Sequence, residues 1–350
     1  MRILYAVQGT GNGHITRAIE LIPYFSKYGD VDILLSGISS DVELPFLVKY
    51  RYYGLSFVFG KKGGVDIWKT YWKLKSRKLY KEIKSLPIQE YDLVVSDFEP
   101  ISSWACKMAG KACIALSNQV ATLHPMAPKP KKADFFGRKV LQYYAPSTHE
   151  YGFHFHSLDQ HIFTPIIRKV VRDTPVSNQG YYTVYLPAYS DKKIIKFLNR
   201  FEGINWQVFS KRAREAYSEG NITISPIETE SFIQSMAGAE GVISNAGFGT
   251  TTEALFLKKK LLVIPMKTQY EQQCNASMLE EMGVTVVKKL KKRYLEAFHY
   301  WIQTGEPISV DYPDNAADIV ETIVSQHTNE IQDAEIAINK KAFKHIFNQI

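Results

Sequence analysis

The sequence predicts an α/β protein of two doubly wound domains, with a C-terminal helix packing back on the first domain. Three observations carry this. The chain has 350 residues, a length that suits two domains. Short apolar runs alternate with stretches of helical spacing in both halves, which implies parallel strands joined by right-handed crossovers. Each half also carries a Gly-rich turn between a strand and a helix.

Arg2 to Val7 reads as the first strand, and Ile15, Ala18, Ile19, Ile22 and Phe25 then recur at helical spacing. Val31 to Leu35, Asp92 to Ser96 and Ala112 to Leu116 are further strands, with a helix from Ile101 to Ala109. A strand over Gly152 to His156 closes the first domain, 1–160. The strand–helix rhythm breaks over Ala145 to Gly180, which holds Pro146, Pro165 and Pro175, and 161–180 is the linker. The second domain, 181–325, alternates again: strands at Tyr182 to Leu186, Trp206 to Phe209, Ile222 to Ser225, Gly241 to Ser244 and Leu261 to Pro265, with a helix over Asp191 to Arg200. Helical spacing over Ile331 to Phe347 places a last helix in 326–350, on the first domain.

Composition narrows the function. The hydrophobic content of 45% gives each half enough for a core. Lys and Arg number 43 against 35 Asp and Glu, a net charge of +8 that favours anionic partners. Three cysteines at unrelated spacings suggest a reducing compartment and no disulfide framework. The N-terminus reads as a strand and not a signal peptide, and no apolar run reaches the roughly 18 residues of a membrane span. The expectation is a cytoplasmic protein, at most peripheral on the inner face of a membrane.

The first turn is Gly9-Thr10-Gly11-Asn12-Gly13-His14. Its glycines let the backbone approach a ligand, and the following helix N-terminus favours anions. The third glycine comes one residue too early for the dinucleotide fingerprint, no acidic residue ends the second strand, and a P-loop Lys-Ser/Thr pair is absent. A bare strand–helix turn is the plain alternative. His14 adds a group suited to proton transfer. Asp97, at the end of the strand Asp92 to Ser96, can orient that imidazole, or it can cap the helix near Pro100.

The second turn, Asn245 to Gly249, opens a hydroxyl-rich helix. Its N–H groups together with Thr250 and Thr251 suit a diphosphate, and Glu253 suits the two hydroxyls of a ribose. Gln272 and Gln273 offer paired amides to sugar hydroxyls. The alternative is that Thr250 to Thr252 only cap the helix.

The order Gly-x-x-x-x-x-Glu, an apolar strand ending in Pro, then Gln-Gln and Asn resembles the bacterial peptidoglycan transferase that adds N-acetylglucosamine to a lipid-linked acceptor, and related lipid and secondary-metabolite glycosyltransferases. The GTGNGH turn is similar to that family's GTGGH turn. The resemblance implies the GT-B fold, with two Rossmann-like domains facing each other across a cleft, and a UDP-sugar donor used as substrate without a cofactor. It implies that Gly247, Phe248, Gly249 and Thr250 face the pyrophosphate and Ile227 the base. Glu253 would hold the ribose, Gln272 and Gln273 the donor sugar, and His14 would be the general base. The loop Leu186 to Ser190 departs from the family's Gly-Gly-Ser-like turn. A hexosyltransferase of cell-envelope biosynthesis, acting with inversion on a lipid-linked or other glycan acceptor, is the expected function. Its rivals are a nucleotide-sugar hydrolase, a UDP-sugar 2-epimerase and an inactive sugar-nucleotide-binding protein.

Two features remain. Lys61 to Lys84 holds nine Lys or Arg and two acids, with Trp68, Tyr71, Trp72 and Tyr80 interleaved. This suits an interfacial helix on anionic lipid, or an amphipathic helix packed on the domain; no nucleic-acid motif accompanies it. His149, His154, His156 and His161 cluster near the linker. No cysteine or firmly placed carboxylate completes a metal site there, and none is expected.

Overall fold

The computed structural model describes residues 1–37, 43–54, 76–130, 135–267 and 269–328. Two seven-stranded sheets organise them. In the first, β1 (Arg2–Gln8) lies between β2 (Asp30–Ser36) and β4 (Leu93–Asp97), and all the pairings are parallel. The sheet runs on from β2 to β3 (Val48–Tyr52), and on the other side through β5 (Ile114–Leu116), β6 (His149–Phe153) and β7 (Ile162–Phe163). Ile3 to Val7 are fully buried, as a central strand covered on both faces must be.

Helix α1 (Asn12–Phe25) lays Ile15, Ala18, Leu21, Ile22 and Phe25 on this sheet. Helix α2 (Ser76–Ser85) packs Leu79 and Ile83 against α3 (Pro100–Ala109) and leaves Arg77, Lys78, Lys81 and Lys84 exposed. That is the amphipathic, domain-packed arrangement for the end of the basic segment; Trp68, Tyr71 and Trp72 lie outside the described residues. Helices α4 (Asn118–Leu123) and α5 (Phe135–Tyr144) complete the half.

The first sheet ends later than the sequence suggests. The strand expected over Gly152 to His156 is His149–Phe153, and β7 pairs parallel to it inside the expected linker. A one-turn helix, α6 (Lys169–Arg172), sits within the connection.

In the second sheet, β8 (Tyr181–Tyr185) is central. On one side stand β9 (Asn205–Ser210), β11 (Ile222–Pro226) and β10 (Tyr217–Glu219); on the other stand β12 (Gly241–Ser244), β13 (Lys260–Val263) and β14 (Thr285–Val286). Only β10 runs antiparallel, as a hairpin with β11. Five helices accompany these strands: α7 (Asp191–Leu198), α8 (Thr229–Gly238), α9 (Phe248–Phe256), α10 (Tyr270–Glu281) and α11 (Leu295–Thr304).

The chain then returns to the first domain. Helix α12, residues 316–328, adds Ala316, Ile319, Val320, Ile323 and Val324 to a core shared by both halves. Tyr151 of β6 donates its hydroxyl to Gln326 Oε1 at 2.7 Å. The crossing helix therefore begins before the residue-326 boundary. The pattern Ile331 to Phe347 lies outside the described residues.

Candidate active site

The first turn needs glycine at two places. The Gly9 N–H donates to Ser36 O at 2.6 Å, and a Cβ on Gly9 would stand 3.0 Å from that oxygen. Gly11 has φ +104° and is the N-cap of α1, with no side chain closing the helix end. Thr10, Asn12 and Gly13 complete the loop, and His14 follows in the first turn of the helix. Val7 of β1 pairs with Asp97 of β4, so the two carboxyl ends bring His14 and Asp97 together. Their contact, His14 Nδ1 to Asp97 Oδ1, is 2.7 Å.

Asp97 is fully buried. Burial pushes its carboxyl up, but the Arg17 guanidinium and His14 outweigh this and hold it below the usual carboxylate range. An ionised Asp97 can only accept, so Nδ1 is the donating nitrogen of the neutral ring, with Arg17 Nη2 3.1 Å away, and Nε2 is the one that can take a proton. Phe98, immediately after Asp97, has φ +53°. That conformation is costly for an aromatic residue and is the kind of strain found at functional sites. Its ring stacks on His14 at 6.3 Å and on Tyr144 at 4.7 Å.

Four further residues extend the pair into a closed ring that sequence reasoning missed. Arg17 donates to both Asp97 oxygens, at 2.5 and 2.8 Å, and to Asn118 Oδ1 at 3.3 Å. Asn118 Nδ2 donates to Glu271 Oε1 at 2.8 Å, and Gln119 Nε2 to Glu271 Oε2 at 2.9 Å. Gln119 Nε2 returns to His14 Nε2 at 3.5 Å. Glu271 belongs to α10, so the ring crosses from one domain to the other. Arg17 stands one helical turn from His14, a spacing that puts both on one face; that signal was available in the sequence.

The second domain supplies an open helix end. The N-cap of α9 is Gly247, without a side-chain cap, so the N–H groups of Phe248, Gly249 and Thr250 have no partner one turn earlier. Phe248 meets Phe155 of the first domain edge-on at 5.2 Å. Gly249 is exposed and Thr250 half-buried, but Thr251 is fully buried. The Thr251 hydroxyl donates back to Gly247 O at 2.8 Å or Phe248 O at 3.0 Å. The helix begins at Phe248, so Thr251 is its fourth residue and faces inward. This corrects the assignment of its hydroxyl to a diphosphate.

Glu253 is buried and gripped by Arg168, Nε to Oε1 at 2.5 Å and Nη2 to Oε2 at 2.8 Å. Gln272 Oε1 accepts from the Met266 N–H at 3.0 Å, and Gln273 Nε2 donates to Lys267 O at 2.5 Å. Both amides thus fasten the loop between β13 and α10. Ile227 follows β11, half-buried against the core. In the divergent loop after β8, Arg212 donates to Tyr189 O at 2.7 Å and to Pro187 O at 3.3 Å.

A family model described as glycosyl transferase family 1 matches residues 1–303. The chain belongs to that family. This glycosyltransferase has the GT-B fold, as solved structures of low identity show. Arabidopsis thaliana UGT89C1 in complex with UDP-L-rhamnose superposes with a TM-score of 0.57 at 11% identity, covering 93% of this chain and 98% of that one. Acinetobacter baumannii MurG gives 0.55 at 12%, covering 94% and 99%. The S. aureus MnaA–UDP co-structure gives 0.55 at 10%, covering 92% and 96%. No curated protein matches the sequence.

The glycosyltransferase's histidines near the linker pack with different aromatic partners. His154 and His156 are 5.5 Å apart, His149 meets His327 edge-on at 4.3 Å, and His161 meets Tyr151 at 5.3 Å. Among the described residues no group of three or more His, Cys, Asp or Glu is placed to hold a metal ion. The three cysteines are buried and unpaired. No described helix is long and apolar enough to cross a membrane.

Proposed function

We propose that the glycosyltransferase moves a hexose from a UDP-sugar to a lipid-linked or other glycan acceptor, with inversion, in cell-envelope biosynthesis. The observation that carries this is the oriented imidazole: Asp97 holds His14 by Nδ1 at 2.7 Å, and bare Nε2 lies beside Gln119, which itself reaches the second domain. One positioned base suits one direct displacement.

In that reaction the acceptor hydroxyl gives its proton to His14 Nε2 while its oxygen attacks the anomeric carbon. The bond from that carbon to the diphosphate breaks, and UDP leaves with the electron pair. Asp97 stabilises the imidazolium as it forms. The N–H groups of Phe248, Gly249 and Thr250 and the positive end of α9 meet the charge developing on the diphosphate, while Gly247 lets the backbone approach. Glu253 takes the ribose, Ile227 the base, and Gln272 and Gln273 the sugar, with the nucleotide-sugar as substrate and no cofactor. UDP and UDP-L-rhamnose occupy neighbours of the same fold, which supports a UDP-type donor. The cytoplasmic face of a membrane is where such a donor and a lipid-linked acceptor meet, and the exposed cations of α2 suit an anionic surface.

The test is incubation of the protein with UDP-sugars, with and without a membrane extract. UDP release that requires the extract, together with a glycosylated lipid or glycan, supports the proposal. Free sugar without an acceptor identifies a hydrolase, an isomerised nucleotide-sugar an epimerase, and binding without turnover an inactive binder.

A further inference from the structure

Arg168 belongs to neither half of the proposed chemistry, yet it grips both oxygens of the donor-side carboxylate Glu253. It precedes α6, on the connection between the domains. Both partners are largely buried: the side chain of Arg168 keeps 16% of its surface and that of Glu253 keeps 8%. Burial disfavours the guanidinium charge, but the pairing with Glu253 outweighs it and holds Arg168 firmly protonated.

Resting on the ribose role of Glu253, we propose that Arg168 is the positioning residue of the donor site, fixing and neutralising the Glu253 carboxylate from the inter-domain connection. Two parallel N–H bonds from a planar fork set the plane of a carboxylate, which a single point charge does not. Each carboxylate oxygen has a further acceptor site, so one edge of Glu253 stays bound to Arg168 while the remaining lone pairs meet the two ribose hydroxyls. Charge gives the second reason. Glu253 lies within two turns of the open end of α9, where a lone carboxylate would repel the diphosphate; the guanidinium cancels that repulsion.

The same cation also faces the first domain. Glu20, on the His14 helix, feels the Arg168 charge and accepts from the Lys169 backbone; burial still leaves its carboxyl above the usual range. Arg168 therefore grips an acid of the second domain directly and favours the charged form of one in the first.

The experiment measures calorimetric binding of UDP and of 2′,3′-dideoxy-UDP to wild type, Arg168→Gln, Arg168→Lys and Glu253→Gln. Wild type should prefer UDP on the order of 10- to 100-fold, as two hydroxyls bonded to a carboxylate allow. The preference should collapse towards one in Glu253→Gln and in Arg168→Gln, and recover partly in Arg168→Lys, which restores the charge without the fork. A merely structural Arg168 would lower thermal stability and leave the preference at its wild-type value, and that result overturns the proposal. Wild type that binds UDP without discriminating removes the ribose role of Glu253, and this proposal with it, while leaving the UDP donor standing. Wild type that binds neither nucleotide sinks the donor reading itself.

Discussion

His14 is the residue on which the chemistry turns, and its neighbours constrain it from three directions. Asp97 fixes Nδ1, Phe98 stacks on the ring, and Gln119 stands beside Nε2. His14→Ala should lower turnover about 10²- to 10⁴-fold, the usual contribution of a positioned base, with donor affinity little changed. Asp97→Asn should act in the same direction, because an amide can donate to Nδ1 and stabilise the wrong tautomer. Steady-state kinetics with a saturating donor would check both, and wild-type turnover in His14→Ala would end its catalytic role. The pair was legible in the sequence because both lie at or beyond the carboxyl ends of apolar strands, His14 just after the Gly-rich turn that follows β1 and Asp97 as the last residue of β4. Arg17, Asn118, Gln119 and Glu271 were not assigned. Asn118 and Glu271 are 153 residues apart along the chain, and no local pattern announces a partner that distant. Thr251 shows the opposite limit. Its residue type suited a phosphate, but one helical position decides whether a hydroxyl faces out or in, and that depends on where the helix starts.

At the scale of elements, α10 is the piece that joins donor side to base. Its Glu271 accepts from Asn118 and Gln119 of α4, while Gln272 and Gln273 beside it tie down the preceding loop. Hydrogen bonds to a charged group contribute roughly 1.5–3 kcal/mol each, net of the bonds to water they replace. Glu271→Ala should therefore shift the cleft toward open forms, by about tenfold or more in population, and reduce kcat. Small-angle scattering of the ligand-free protein should show a larger radius for the variant. An unchanged radius with unchanged kcat would mean that the bonds across the cleft are incidental. The inner strands of both sheets could be read from apolar runs because they are covered on both faces, whereas the four edge strands β3, β7, β10 and β14 were not read; β7, β10 and β14 have only two or three residues each. Strand β3, Val48–Tyr52, escaped because it is an edge strand with alternating exposure and two cations in five residues.

The same element scale carries a pH prediction at the end of β6. Burial, followed by the nearby His156, pushes His154 down from 6.5 to about 4. The folded protein keeps this ring neutral, whereas the unfolded chain binds a proton below the ordinary value. Stability should thus fall as pH drops from about 6.5 towards 4, by about 3 kcal/mol in total from this group. Denaturant unfolding at pH 7.5 and pH 5 should show a smaller difference for His154→Phe than for wild type. Equal slopes would show that His154 protonates in the fold as easily as outside it.

For the whole molecule, the remaining prediction concerns where it works. The net charge is +8, and Arg77, Lys78, Lys81 and Lys84 leave one face of α2 free while Leu79 and Ile83 bind it to the first domain. A helix anchored by its apolar side presents its cations in a fixed plane, as contact with an anionic surface requires. Each Lys or Arg near such a surface contributes on the order of 1 kcal/mol. The protein should therefore sediment with vesicles containing anionic lipid and not with neutral ones. The attraction should weaken as salt shortens the Debye length from about 10 Å at 0.1 M to about 3 Å at 1 M. Changing Arg77, Lys78, Lys81 and Lys84 to Gln should weaken sedimentation without lowering the unfolding temperature, since all four are exposed. The interleaved Trp68 and Trp72 supply a separate arm: their double Ala variant should bind less at low salt if the rings enter the headgroup boundary. If wild type ignores anionic vesicles and that double variant only loses stability, the aromatic residues are core and the acceptor is a soluble one.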